Sequence, residues 1–374
     1  MLLLTVFLVI ASFAFTDAHV FQKTSIVNPF DQLTVTSILE NHHVISVRNA
    51  HKKLFPGPTL AYVTPWNNCG YNIAKIFKGK FDYLSPVWFY IEPKTPTGYV
   101  IEGEHDVDSS WIQEVRGGDD SMNISAKVVP RFQCRSWSTP DWYQLASNTQ
   151  NAKQLANQIL KVVIKYDLDG IVLECAYPSI FPFFVQRLSE TLRTHHKTLV
   201  AVLPPIRNEE QKKVLNAQSF AFMAKYIDYF SLMTYDYSTS RIDGGPAAPV
   251  DWIIDNIEYL TTDENRHQLL MGMPMYAVSY APYHYPEPLG METVLRKLQE
   301  QRQHNAENQM PVIWDPVSEE HWFKYMINNH RSSMHIWMPS LTFIRQRLAI
   351  AKRYGIGVAL WEIGQGLDYF YDLF

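Results

Sequence analysis

From residue 60 onward the chain repeats one unit: a short apolar run that reads as a strand, a polar loop, then a helical pattern. The strand candidates are residues 60–64, 83–90, 126–132, 170–175, 198–203, 229–235, 269–275 and 357–362. Between them, residues 151–166 place Leu155, Ile159, Val162 and Val163 on one helical face, and 183–195 and 220–226 repeat the pattern. Strands that are apolar on both faces are those of parallel sheets covered by helices. Eight strand–helix units predict an α/β chain folded as a (β/α)8 TIM barrel. The alternative is a doubly wound open sheet, but no G-x-G-x-x-G follows the first strand. Residues 282–339 are too long for one connection. They hold a helical stretch, 292–301, and strand-like pieces at 311–314 and 334–338, which predicts a short α+β insertion after strand seven.

The ends divide off from this body. Residues 2–15 are nearly all apolar and uncharged, too few to span a bilayer that needs roughly 20. Thr16 and Ala18 offer a cleavage site, so residues 1–18 read as a signal peptide. An uncleaved anchor is the other reading. Residues 19–55 form an N-terminal extension, helix-like over 41–51, and 56–374 form the barrel with its insertion. The chain is therefore expected to be secreted, with the lysosome as a further compartment and no membrane contact after cleavage. Asn123-Ile124-Ser125 is a glycosylation sequon in that setting. A net charge of −4 without a basic stripe gives no footprint for nucleic acid. Of three cysteines, Cys69, Cys134 and Cys175, at least one is left over; a Cys69–Cys134 bridge is one option the sequence leaves open. Cys175 alternates outward from Glu174 and is expected under a helix. No C-x-x-C or H-E-x-x-H spacing argues for zinc, and no cofactor is expected. The thirteen histidines are expected on solvated surfaces.

The fourth strand candidate carries the chemistry. It reads Asp169-Gly170-Ile171-Val172-Leu173-Glu174-Cys175-Ala176, a buried run with one acid. The sixth holds Met233-Thr234-Tyr235-Asp236, and the eighth ends in Trp361-Glu362. These blocks resemble family-18 glycoside hydrolases, the chitinases and chitinase-like lectins, whose fourth strand reads D-G-x-D-x-D-x-E and whose sixth reads M-x-Y-D. Asp169-Gly170 matches the opening pair. The next three acidic positions are Val172, Glu174 and Ala176, so the family's proton donor is replaced by a methyl group. Further blocks, Val63-Thr64-Pro65-Trp66-Asn67, Ser85-Pro86-Val87-Trp88 and Gly364-Gln365-Gly366-Leu367-Asp368-Tyr369, are similar to the branch of chitinase domain-containing proteins.

The resemblance implies substrate-assisted hydrolysis: a glutamic acid protonates the glycosidic oxygen while the middle aspartate orients the sugar's acetamide. Alternation along a strand puts Val172, Glu174 and Ala176 on the inward face, with Ala176 nearest the mouth. Glu174 stands roughly 6.6 Å below that position, and a donor must come within about 3 Å of the leaving oxygen. It is expected to act as a displaced middle acid, bonded to Tyr235, Asp236 or a ligand acetamide. Trp361 is expected to stack on a pyranose. Tyr235, Asp236, Met233 and Glu174 are expected to bind the ligand, with Trp88, Arg131 and Tyr276 as further contacts; Trp66 and Trp137 would lengthen the groove. His105-Asp106-Val107-Asp108 is expected to cap the helix through Trp111 and Val115. Asp368 and Asp372 are expected at the surface. The reading is a chitinase-like lectin for N-acetylglucosamine-type oligosaccharides without efficient hydrolysis. An active glycosidase with a relocated acid, and a module for a receptor or sorting protein, are its rivals.

Overall fold

The computed structural model describes residues 21–22, 33–46, 48–94, 98–117, 125–304, 311–327 and 332–374. The signal-peptide and sequon expectations fall outside the described residues.

All eight strand positions are occupied. In barrel order they are Thr59–Val63, Tyr83–Pro86 continued as Phe89–Pro93, Lys127–Val128 continued as Arg131–Cys134, Gly170–Glu174, Thr198–Leu203, Tyr229–Leu232, Leu269–Pro274 and Gly357–Trp361. Neighbours pair in parallel, and strand eight lies between strands seven and one. The sheet closes through strand three. Its lower half pairs with the lower half of strand two, its upper half with strand four and with the upper half of strand two. Strands two and three, expected as single runs, are each interrupted at a proline, Pro86 and Pro130, which has no N–H to give the ladder.

The barrel interior is filled by Leu60, Tyr62, Val129, Val172, Val200, Val202 and Leu270, all buried. Gly170 is required by close approach: a Cβ there would lie 2.1 Å from the Thr198 carbonyl oxygen of strand five. Asp169 beside it is structural. Its carboxylate accepts from Val128 N at 2.7 Å and pairs with Arg116 at 2.7 Å, locking the start of strands three and four.

The insertion is a five-stranded antiparallel sheet ordered Glu287–Leu289, Ala277–Tyr280, Ser332–Met338, Glu320–Ile327, Ile313–Asp315, with the helix Met291–His304 against it. It starts at Ala277, five residues before the expected boundary, because the chain turns into the new sheet directly after Tyr276. A buried pair fastens it to the barrel. Glu320 accepts from Ala247 N and Ala248 N at 3.0 and 2.7 Å, and Arg347 donates to Ala248, Ser318 and Glu319 carbonyls.

Three local expectations need correction. The N-terminal helix is Val35–Asn41 rather than 41–51, because a capping box between Thr34 and Ser37 fixes its start; Ile45–Ser46 then forms a short parallel strand with Phe21–Gln22. Asp372 is buried, accepting from Ser46 N at 2.9 Å, because the final helical turn packs Tyr369, Phe370 and Tyr371 into the core. His321 is buried against Ser340 rather than solvated. By contrast, Asp108 caps Ser109–Val115 as its acidic side chain predicted. Among the described residues no helix is long and apolar enough to cross a membrane.

Candidate functional site

The C-terminal ends of the strands form the barrel mouth, where sites on this architecture are built. Glu174 is the last residue of strand four, and its half-buried carboxylate is fully engaged. Arg131 Nη1 donates to one oxygen at 2.9 Å and Gln133 Nε2 to the other at 2.8 Å; Arg131 Nη2 also donates to Gln133 at 3.1 Å. The register explains the triad. Arg131 sits opposite Val172 and Gln133 opposite Glu174, so all three side chains rise from one face of two paired strands. Arg131, expected as a ligand contact, is almost wholly buried, with its guanidinium 5.5 Å from the Trp361 ring.

Trp361 ends strand eight half-buried, and its peptide bond to Glu362 is cis. Tyr62 meets the indole edge-on at 5.1 Å and donates to Ser231 Oγ at 2.9 Å. Met233 packs against the same indole-bearing cluster. Strand six stops at Leu232, so Tyr235 and Asp236 stand on the loop beyond it. Asp236 takes a left-handed backbone, φ 60°, and its Oδ1 accepts from Tyr276 Oη at 2.5 Å. Burial, with Asp236 nearby, raises the Tyr276 hydroxyl well above its ordinary pKa. Burial, then Tyr62 and Glu174, does the same for Tyr235. Both remain neutral donors through the physiological range. The structure thus gathers Glu174, Arg131, Met233, Tyr235, Asp236, Tyr276 and Trp361 at one end of the barrel.

Trp88 does not join them. It is fully buried, with Nε1 donating to Tyr71 Oη at 2.7 Å and Trp111 packed 6.0 Å away, and no face is left for a ligand. Trp137 is likewise taken up, stacked between Tyr99 and Trp142 with Nε1 bonded to Ile91 O. Trp66 is exposed in the loop after strand one. Alternation fails at Ala176: strand four ends at Glu174, and Ala176 is exposed in a bend with φ 40°. The cysteine pairing is Cys134–Cys175, across the ends of strands three and four, and Cys69 lies outside it. Cys175 is buried as expected, but in that bridge.

Sequence reasoning missed Gln133, Tyr62, Glu362 and Arg207. Gln133 and Tyr62 were legible by alternation, two residues from Arg131 and from Leu60. Glu362 is fully buried; Asn67 Nδ2 and Gly364 N occupy its two oxygens at 2.7 and 2.8 Å. Burial raises its pKa, yet with both oxygens held it joins two loops and cannot deliver a proton outward. Chemically, the mouth offers hydroxyls, an indole and two bonded carboxylates. Among these carboxyls, none projects from position 176.

Comparison with known proteins fits this geometry. The family description "Glycosyl hydrolases family 18" matches residues 105–366. The uncharacterized glycosylase YvbX of Bacillus subtilis is 21% identical over 235 residues, 61% of this chain and 67% of its own length. The cortical fragment-lytic enzyme of the same organism is 23% identical over 270 residues, 68% of this chain and 60% of its own length. Among solved structures, a chitinase from Chromobacterium violaceum superposes with a TM-score of 0.68 at 18% identity, covering 85% of this chain and 98% of that one. The spore cortex-lytic enzyme SleL of Bacillus megaterium gives 0.67 at 16%, covering 85% and 74%. These structural likenesses establish the fold. The family match covers most of the chain and includes strand four, strand six and Trp361, and the chain belongs to glycosyl hydrolase family 18.

Proposed function

We propose that this protein is a chitinase-like lectin that binds N-acetylglucosamine-type oligosaccharides at the barrel mouth without efficient hydrolysis. One observation carries the reading: the family's proton-donor position holds Ala176, while the nearest strand-four acid, Glu174, has both oxygens bonded to Arg131 and Gln133. Loss of a general acid removes about 10²–10⁴-fold of rate, and Glu174, held by Arg131 and Gln133 at the end of strand four, has no oxygen free to face a leaving group. Groups suited to binding support the reading. Trp361 offers an indole, and Tyr235, Tyr276 and Asp236 offer hydrogen bonds beside it. The chitinase among the structural neighbours supports chitooligosaccharide as the ligand class. The branch of chitinase domain-containing proteins, with a secreted or lysosomal location, belongs to the same proposal.

The rival is a glycosidase with Glu174 as relocated acid. Tryptophan fluorescence titrated with N-acetylglucosamine oligomers of increasing length tests binding, and a fluorogenic chitobioside assay over pH 3–8 tests turnover. Saturable binding with no turnover is expected. Turnover abolished by E174Q would replace the lectin with the enzyme.

A further inference from the structure

The turn that carries Asp236 is held from outside the site. Arg207 lies in the loop after strand five, away from the family's motif positions. Its guanidinium donates to three successive carbonyls: Nη2 to Tyr235 at 2.8 Å, and Nη1 to Asp236 and Tyr237 at 3.0 and 3.2 Å. Those oxygens converge because Asp236 adopts φ 60°, a left-handed backbone uncommon outside glycine. Three carbonyls facing one point repel one another, and a planar cation with forked donors satisfies them together. We infer that Arg207 is a positioning residue, a clamp that sets the Asp236 turn and so the Tyr276–Asp236 pair that faces the ligand.

The clamp is itself anchored. Asn256, buried on the helix Val250–Leu260, accepts from Ile206 N at 2.6 Å, and Trp252 Nε1 donates to Ile206 O at 3.0 Å. The Trp252 ring lies 5.2 Å from the Arg207 guanidinium. Pro204 and Pro205 restrict the backbone just before it. A continuous set of contacts therefore runs from an outer helix through Ile206 and Arg207 to Asp236. Lysine at 207 keeps the charge but offers no planar fork, so it supports the turn only in part.

This inference rests on the sugar-binding reading for its functional half, and two measurements separate them. The first needs no ligand: hydrogen–deuterium exchange of the full chain. R207M should speed exchange over residues 233–239 and leave 269–276 unchanged, with R207K intermediate. Equal exchange in wild type and both variants overturns the clamp. The second is a double-mutant cycle on chitotetraose affinity. R207M should weaken binding about tenfold alone, but less than twofold in the D236A background, and about tenfold again in W361A. Full additivity with D236A overturns the link to the ligand. Should wild type bind no oligosaccharide while R207M still loosens 233–239, the sugar-binding reading falls and the clamp stands. If R207M does not fold, R207K carries both measurements.

Discussion

Glu174 and Arg131 form a pair near the barrel axis, and each has more to lose than to contribute. Arg131 is 6% exposed, so removing its partner strands a buried guanidinium. Breaking a fully buried pair costs about 3–5 kcal/mol. Because the Glu174 side chain keeps 25% exposure, E174A should lower the unfolding free energy by nearer 2 kcal/mol, read by urea denaturation. Trp361 behaves differently. It is half-buried at the mouth, and W361A should weaken oligosaccharide binding tenfold or more while the chain stays folded, checked by calorimetry and far-UV dichroism. The sequence displayed these residue types but not their partners. Trp88 lies in the break of strand two, between Pro86 and Phe89, and Trp361 ends strand eight. Only the fold reveals that Tyr71 and Trp111 cover the first, while the second stays half-buried at the mouth with Arg131 and Tyr62 against it. Gln133 was readable from its two-residue spacing to Arg131. Arg207 was not, since nothing in a loop sequence says which carbonyls a guanidinium will meet.

Strands were legible at their centres and illegible at their ends. A buried apolar run marks a parallel strand, but where pairing stops depends on neighbours: on Pro130 withholding an N–H, or on strand six leaving the ladder at Leu232. That is why Ala176 fell outside the alternation expected of it. The ends of strands three and four are tied by Cys134–Cys175, closing a loop of 41 residues. The chain-entropy relation gives about 4 kcal/mol for such a loop. The C134S/C175S double variant should lose up to that amount in denaturant stability. It should also loosen Gln133 and Glu174, each adjacent to a removed sulfur. The insertion is fastened by Glu320 and Arg347, both fully buried. R347M leaves the Glu320 carboxylate unpaired and should destabilise the fold by about 3–5 kcal/mol, seen as a lower melting temperature. His321, on the same insertion strand, is pushed by burial from 6.5 down to about 4. The unfolded chain then binds the proton first as pH falls. This contribution is complete above 6.5 and is lost as pH drops toward 4, about 3 kcal/mol at most. Denaturant midpoints across that range should fall with pH, and more shallowly in H321Q.

At the scale of the whole molecule, a closed parallel barrel brings together residues far apart in sequence. Trp361 and Arg131 face each other across 230 positions, and Asp236 and Tyr276 across 40. The architecture was legible because eight apolar runs separated by helices have few other ways to bury both faces. The insertion was legible as an excess of length. Its full five-stranded sheet was not, since its outer strands alternate weakly. On the proposed reading, the vacated donor position at Ala176 decides what the barrel mouth does with a sugar. Isothermal titration calorimetry of chitotetraose into the purified protein tests that decision in one trace. The account predicts saturable heat with the baseline returning after each injection. Sustained heat after each injection, the signature of continuing hydrolysis, would contradict it.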